Sequence, residues 1–542
     1  MAAPKVAFEW TTIVNNGDYM PTDACDPEFP TVPTCRTFNS YNQPSVNARG
    51  LVVMRARSRG GQGQQQNVHG VYIRDMTTKG PVQRILDRDT RVPQPNNLDS
   101  EFVEPPSFPR IDIKLNTIAT RGNHQPVWEY TLADGSETRV GASGIYTNPF
   151  GDLITGASKL GAVPEFSFYE VPEVPGTPFD VFPGAPAVAN GTTLVFKGNY
   201  TVEGIAKTGV YYRRLSGASG GGTAPVVLIA NNTDTFIPGT NQVFGSTAPP
   251  SAVGNKAIFA GFDNEENPMA GGIYMASLTP YKRNKQPMLE SLVTIGSQVP
   301  GEPRNTTFNR LGEGVSFDGR FVAFWGAWGE ATKTVRLYCP DEGNQDRRAF
   351  CKSENSGSTY DPDIDNWYQE RQVPVNQGIF VHDTRRKTTF KVARTGENDF
   401  TDFEYWNFSG KAPGVGEGEE DGELARWRSA SFVAVSGKGA NYHVAFKARK
   451  GDTDENHVYV DPVDGIYLNE GPAQAQLLSL ITTGMDGTAV DPEAVDPDTG
   501  DVLPVTEMGI ERDGFRGDLI VINAKMGTEE EGWAGIYLTT VP

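Results

Sequence analysis

Pro250-Ser251-Ala252-Val253, Ala257-Ile258-Phe259, Gly272-Ile273-Tyr274 and residues 292–295 are four short apolar stretches in a row, each ending in a turn. Each is too short for a helix and rich in β-branched and aromatic residues, so each reads as a strand. Four strands joined by tight turns make one antiparallel unit. The unit's clearest mark is its third strand, Gly then Val or Ile then an aromatic.

That tripeptide recurs along the whole chain. It stands at Gly70-Val71-Tyr72, Gly144-Ile145-Tyr146, Gly209-Val210-Tyr211, Gly272-Ile273-Tyr274, Gly378-Ile379-Phe380, Gly465-Ile466-Tyr467 and Gly535-Ile536-Tyr537. An apolar strand precedes each copy, as in Leu51-Val52-Val53-Met54, Leu194-Val195-Phe196 and Leu519-Ile520-Val521-Ile522. An outer strand follows most of them, as at 82–86, 226–230 and 477–481. Seven four-stranded units predict an all-β chain, a seven-bladed β-propeller with four-stranded antiparallel blades. The blades fall at about 40–95, 105–165, 185–240, 249–301, 314–397 and 428–485, with the seventh at 508–542 plus 5–21. All 542 residues then form one domain, carrying a loop insertion at 325–376.

The ends explain the split seventh blade. The last repeat stops after its Gly-Ile-Tyr strand, one strand short. The chain begins with a spare one: 12–21 (TIVNNGDYMP) is similar to the third repeat's outer strand at 229–238 (IANNTDTFIP). The N-terminal strand is therefore expected in the last blade, where it closes the ring and removes both free edges.

The repeat resembles the TolB-type and related secreted bacterial propeller repeats, with a Pro-Ser-x turn strand, a strand ending in Phe and an Ile-Tyr strand. Pro44-Ser45-Val46 and Pro250-Ser251-Ala252-Val253 carry the resemblance, which covers nearly the whole chain and implies architecture alone.

The net charge of −19 opposes nucleic acid and anionic membranes as partners, and no apolar stretch is long enough to span a bilayer. Met1-Ala2-Ala3-Pro4 carries no leader pattern and suits a processed, exported chain; a cytosolic protein is the other reading. Cys25 with Cys35 and Cys339 with Cys351 form two local couples without metal spacing. Two disulfides in a secreted chain is the preferred reading and buried thiols the alternative.

Functional residues are sought on the loops at one mouth of the channel. The 325–376 insertion and the following loop concentrate Trp325, Trp328, Arg336, Trp367, Tyr368, Trp406, Trp427 and Arg428. Aromatic faces beside guanidinium groups suit a glycan or a protein partner; the same residues also serve to anchor an insertion. Arg55, Arg121, Lys197 and Lys447 end four apolar strands. They either form a basic patch for a carboxylated ligand or pair with acids of the next blade. His69 and His124 fall in loops and titrate near neutral pH, whereas His382 and His443 sit inside predicted strands. Several polysaccharide lyase families are similar in architecture and use His or Tyr as base and acid, with Arg neutralising a uronate. That similarity implies a catalytic set of His69, His124, Tyr146, Arg55 and Arg121. Asp496, Asp498 and Asp501 alternate with turn residues and suit calcium, or else form a solvated loop. The expected function is binding, with or without cleavage by β-elimination, of a glycan or uronate-containing polysaccharide at the mouth of the central channel. The alternative is a calcium-stabilised scaffold for a protein partner.

Overall fold

Turn chemistry and the apolar runs set the strands. Leu51–Ser58 and His69–Asp75 pair antiparallel from Leu51↔Asp75 to Arg57↔His69, and His69–Asp75 pairs on its other side with Gln83–Asp87. Phe38–Tyr41 and Ser45–Val46 line the inner edge as two pieces of one broken strand. The computed structural model describes residues 8–21, 36–58, 68–217, 219–278, 286–341, 344–414, 424–471, 477–528 and 532–541. Cys25, Cys35 and residues 5–7 of the predicted closing segment lie outside them. Among the described residues seven antiparallel sheets have this four-strand order, and three smaller sheets lie in the connections. No helix among them is long and apolar enough to cross a membrane.

The tripeptide has one structural job in every sheet. Its Val or Ile pairs in register with the outer strand, and the pairing slips by one residue before the aromatic, as between Val71 and Tyr72 or Ile273 and Tyr274. The bulge turns the ring inward, where Tyr72, Tyr146, Tyr211, Tyr274 and Tyr537 are fully buried. A Phe meets it edge-on in six sheets: Phe38 on Tyr72 at 5.0 Å, Phe102 on Tyr146 at 4.7 Å, Phe308 on Phe380 at 4.8 Å and Phe400 on Tyr467 at 4.8 Å are four of them. Each such pair contributes about 0.5–1.5 kcal/mol beyond its buried area. In the seventh sheet the Tyr537 hydroxyl instead donates to Asp491 at 3.0 Å.

The glycine is required because a side chain there would meet the tyrosine ring, as at Gly70, Gly209 and Gly535, or the backbone of the outer strand, as at Gly272. A Cβ on Gly272 would stand 2.2 Å from the Val293 carbonyl oxygen, which is backbone and cannot swing away. Gly272→Ala is expected to cost about 1–3 kcal/mol, read as a lower midpoint in chemical denaturation; an unchanged midpoint would contradict this account of the repeat.

Trp10–Asn15 pairs with Trp533–Thr540, from Trp10↔Thr539 to Asn15↔Gly535. It carries the same slip opposite the tripeptide, between Thr12 and Val14. Asn15 Nδ2 donates to Asp491 and Glu493 at 2.9 Å each, and Trp533 Nε1 donates to Asp491 at 3.0 Å. The leading strand thus occupies the outer position of the last sheet.

The apolar core is divided among the sheets. One cluster joins Val53 and Leu86 of the first sheet to Ile118 and Tyr146 of the second, and five more join successive sheets. A seventh joins Val521 and Ile536 of the last sheet to Val46 and Met54 of the first. The inner strands touch in the same cyclic order: Ser45–Val46, Arg110–Ile111, Ala187–Ala189, Ser251–Val253, Ser316–Phe317, Val433–Lys438, Phe515–Arg516, then Ser45–Val46 again. At their meeting point the segment 510–514 of the seventh sheet reaches across. Arg110 Nη1 lies 2.5 Å from Asp513 and its Nη2 2.7 Å from Glu511. Arg516 bonds Asp513 as well as the Val435 carbonyl, and Arg512 donates to the Pro249 carbonyl at 2.9 Å. Ser316 Oγ donates to the Arg512 carbonyl at 2.6 Å.

The insertion begins later than the sequence suggests. Trp325 and Trp328 lie within the strand Phe321–Trp328, and the inserted material follows it as Thr332–Tyr338, the helix Gln345–Cys351, Thr359–Asp361 and Asn366–Pro374. The apolar strand runs on through Trp328 because all eight of its residues are buried, on both faces. Cys339 and Cys351 form a disulfide, with Cα atoms 5.8 Å apart.

Candidate functional site

A short turn supplies the central residue. The strand Phe400–Asp402 ends on a buried aspartate whose Oδ1 accepts from the Phe403 and Glu404 amides, at 3.1 and 3.3 Å. Gln377 donates to the same oxygen at 2.8 Å and accepts from Trp325 Nε1 at 2.9 Å. Tyr459 donates to Asp402 Oδ2 at 2.5 Å, and the Lys333 ammonium lies 3.6 Å from it. Asp402 is thereby tied to three elements, and it fixes both the Glu404 backbone and the Trp325 ring.

The chain then forms a hairpin, Tyr405–Ser409 with Arg426–Ala430. The insertion holds it from behind: Phe408 packs on Trp427 at 5.5 Å and Phe350 on Phe408 at 6.3 Å, against the disulfide sulfurs. Arg426 ties it in front to Glu265 at 2.5 Å and Glu266 at 3.4 Å, in the loop after Lys256–Phe262. Between these supports lies a cavity of about 550 Å³, a size typical of small-molecule sites. Trp325, Trp406 and Trp427 give it aromatic walls, Arg310, Arg371, Arg426 and Arg428 line it with guanidinium groups, and Glu265, Glu266 and Glu313 line it with carboxylates.

Glu404 lines this cavity and is 5% exposed. Burial pushes its carboxyl up to about 7; the Ser429 hydrogen bond and the Arg310 charge pull the other way by less, and Asp402 adds to the rise. Its Oε2 has no hydrogen-bond partner, nor have Trp406 Nε1, Trp427 Nε1 and Ser431 Oγ, all buried. Four of the chain's buried polar atoms without partners thus stand beside this one cavity, and a polar ligand is one way of satisfying such atoms. A carboxyl that is half ionised near neutral pH is suited to giving and taking a proton there.

The predicted residues sort into separate places. Trp325, Trp406, Trp427 and Arg428 meet in the cavity. Trp328 packs edge-on to Phe380 at 5.9 Å. Arg336 stacks on Tyr368 at 4.1 Å and pairs with Asp361 at 3.2 Å, while Trp367 lies against Tyr360 at 5.8 Å. These contacts hold the insertion's own sheet together. Arg55 and His69 share a different cavity at the first sheet, with Arg55 Nη2 2.7 Å from Glu104. His124 bonds the Tyr146 hydroxyl through Nε2 at 2.5 Å, both side chains being buried. Burial holds the His124 imidazole down to about 4 and raises the Tyr146 phenol well above its usual range. Arg121 is buried and donates to the Phe182 carbonyl at 3.2 Å. Lys447 is buried under Tyr405, 4.1 Å from the ring centre. Asp496 spends Oδ1 on the Asp498 and Thr499 amides of its own turn. Among the described residues no three acids, histidines or cysteines are gathered so as to hold a metal ion.

Glu404, Arg310, Arg371 and Ser431 escape the sequence reading. A local signal exists for the first: Phe403-Glu404-Tyr405-Trp406 places an acid among three aromatics.

The fold and cavity define an all-β protein of repeated antiparallel sheets with an aromatic and arginine-lined groove enclosing a buried carboxyl. No protein-family model matches the sequence, and no curated protein matches it significantly. Among solved structures the chain is similar to a Trypanosoma rangeli sialidase mutant displaying trans-sialidase activity, with 12% identity over 95% of this chain and 69% of that one, TM-score 0.34. It is also similar to the polysaccharide lyase Uly1 (9% identity, 54% and 56% covered, TM-score 0.27). A third is the α-L-arabinofuranosidase PaAbf62A from Podospora anserina (8%, 66% and 89%, TM-score 0.23). Likenesses of this strength carry no argument about activity.

Proposed function

We propose that the seven sheets are the blades of one closed β-propeller and that the groove over the fourth, fifth and sixth binds a uronate-containing glycan. Ring closure is supported by the cyclic contacts of the inner strands and by the leading strand's place in the last sheet. One observation carries the functional reading: Glu404 is buried, unpartnered at Oε2 and poised near neutral pH in a groove of three tryptophans and four arginines, of which Arg426 takes up the groove's Glu265 and Glu266. Tryptophan faces stack on the apolar faces of sugar rings, and guanidinium groups pair with carboxylates in a two-pronged fit.

On such a ligand the chemistry is β-elimination. An arginine neutralises the uronate carboxylate and so acidifies the proton on carbon 5. Glu404 in its ionised form takes that proton. The electron pair forms the C4–C5 double bond, the bond from C4 to the glycosidic oxygen breaks, and the departing oxygen takes the proton back from Glu404. Sugar, proton and enzyme balance without a cofactor.

The test is a panel of uronate-containing polysaccharides, with ultraviolet absorbance following the unsaturated product. Product from at least one, and none from Glu404→Gln, is the expected result. Binding without product would reduce the groove to a receptor site, and neither binding nor product with any polymer would overturn the reading. The Cys339–Cys351 disulfide supports an oxidising, extracellular setting. The alternation of Asp496, Asp498 and Asp501 with turn residues supports calcium as the ion this loop would take. A chelator is expected to lower the melting temperature if the ion binds there; an unchanged value removes it.

A further inference from the structure

The first sheet holds a second cavity, of about 200 Å³, lined by Ser40, Asn42, Arg55, Arg57 and His69. It sits where Leu51–Ser58 ends and His69–Asp75 begins, the position that Phe262 at the end of Lys256–Phe262 takes beside the groove. The two cavities therefore open on the same side of the ring of sheets. Arg55 donates from Nη1 to Asn42 at 2.7 Å and from Nη2 to Glu104 at 2.7 Å, while its buried Nε has no partner. His69 Nδ1 lies 3.5 Å from Arg55 Nη2 and 4.0 Å from Glu104. Among the described residues no carboxylate pairs with Arg57. Two guanidinium groups thus face one carboxylate, on a chain whose net charge is −19, so composition does not explain the local excess of positive charge. Burial lowers the Arg55 guanidinium, and the charges of Arg57 and Arg121 act in the same direction although Glu104 opposes them. An anion between the two guanidinium groups would relieve the repulsion between them.

We propose that this cavity is an oxyanion site, taking a carboxylate or sulfate group through the Arg55 and Arg57 guanidinium groups and the neighbouring Asn42 and Ser40 side chains. Its size fits one such group with at most a single ring attached, and it has no aromatic wall on which a base could stack. The site stands independently of the groove and of Glu404.

Thermal melting in sodium sulfate, sodium acetate and sodium chloride at matched ionic strength tests it. Sulfate raises the stability of most proteins by exclusion from their surface, so the readout is the saturable part of the rise. Wild type is expected to show a saturable rise of roughly 1–2 °C in sulfate or acetate over chloride, and Arg57→Gln is expected to lose it. The same saturable rise in both proteins, or none in wild type, overturns the proposal. Should Arg57→Gln melt abnormally in chloride, Arg57→Lys keeps the charge without the planar fork and is expected to need several-fold more sulfate; an unchanged requirement overturns the proposal equally. Glucuronate and a sulfated monosaccharide distinguish the source. Saturation at lower concentration than the free ions points to a glycan-borne group, and equal concentrations point to the free anion.

Discussion

Glu404→Gln is expected to abolish product formation while making the protein more stable above neutral pH. The two effects have one cause. Burial raises the folded-state pKa of Glu404 from the ordinary 4.5 to about 7. A group raised in this way contributes its full stability below about pH 4.5 and loses it as pH rises through about 7, because the folded chain must then hold a buried charge that the unfolded chain hydrates. The span between the two values corresponds to roughly 3 kcal/mol. Glutamine keeps the shape and the Ser429 contact but cannot ionise. The variant should therefore match wild type in denaturation at pH 5 and exceed it at pH 9. Loss of a general acid–base group lowers turnover about 10²–10⁴-fold, with ligand affinity retained. A variant no more stable than wild type at pH 9 would show that the carboxyl is not buried as described.

The second large effect is expected where the inner strands of the sheets meet. Arg110 is fully buried and spans from the second sheet to Glu511 and Asp513 of the seventh. Removing one partner of a buried ionic cluster strands the others, at a cost of about 3–5 kcal/mol. Arg110→Met should lose that much in denaturant unfolding. Glu511→Gln should cost less in the Arg110→Met background than in wild type, because the two share one interaction. The pH response follows from Asp513. Burial pushes its carboxyl up, but Arg110 and Arg516 outweigh it and leave it below the usual range. A carboxyl depressed on folding contributes stability above its unfolded pKa, about 4, and loses it as pH falls through the folded value. The deficit of Arg110→Met against wild type is thus expected to be largest near neutral pH and to narrow as pH falls, because without Arg110 the Asp513 carboxyl is no longer held down.

What the sequence discloses and what it hides divide along the distance between contacts. The Gly-Ile-Tyr strand is legible because its causes are local: the bulge, the buried ring and the glycine beneath it lie within three residues. The leading strand is legible because Asn15-Asn16 repeats the pattern of Asn231-Asn232. Trp406, Trp427 and Arg428 are legible because they cluster along the chain. Arg110 and Asp513 are 403 positions apart, and nothing near either one announces the other. Glu404 owes its pKa to burial beneath side chains from several elements, with Asp402, Ser429 and Arg310 adjusting it, so its identity as an acid is visible while its burial is not. Arg336 and Trp367 mislead for the converse reason: their types suit a ligand, but the insertion's own Tyr368, Asp361 and Tyr360 take them up.

The proposed binding of a glycan in the groove is tested most directly by titration calorimetry with a uronate oligosaccharide and the same oligosaccharide after carboxyl reduction, on Glu404→Gln so that nothing is consumed. The account predicts saturable heat with the acid, a weaker response of at least tenfold with the reduced sugar, and loss of both in a second protein that also carries Trp406→Ala. Equal binding of acid and reduced forms, or binding that survives Trp406→Ala unchanged, would contradict it.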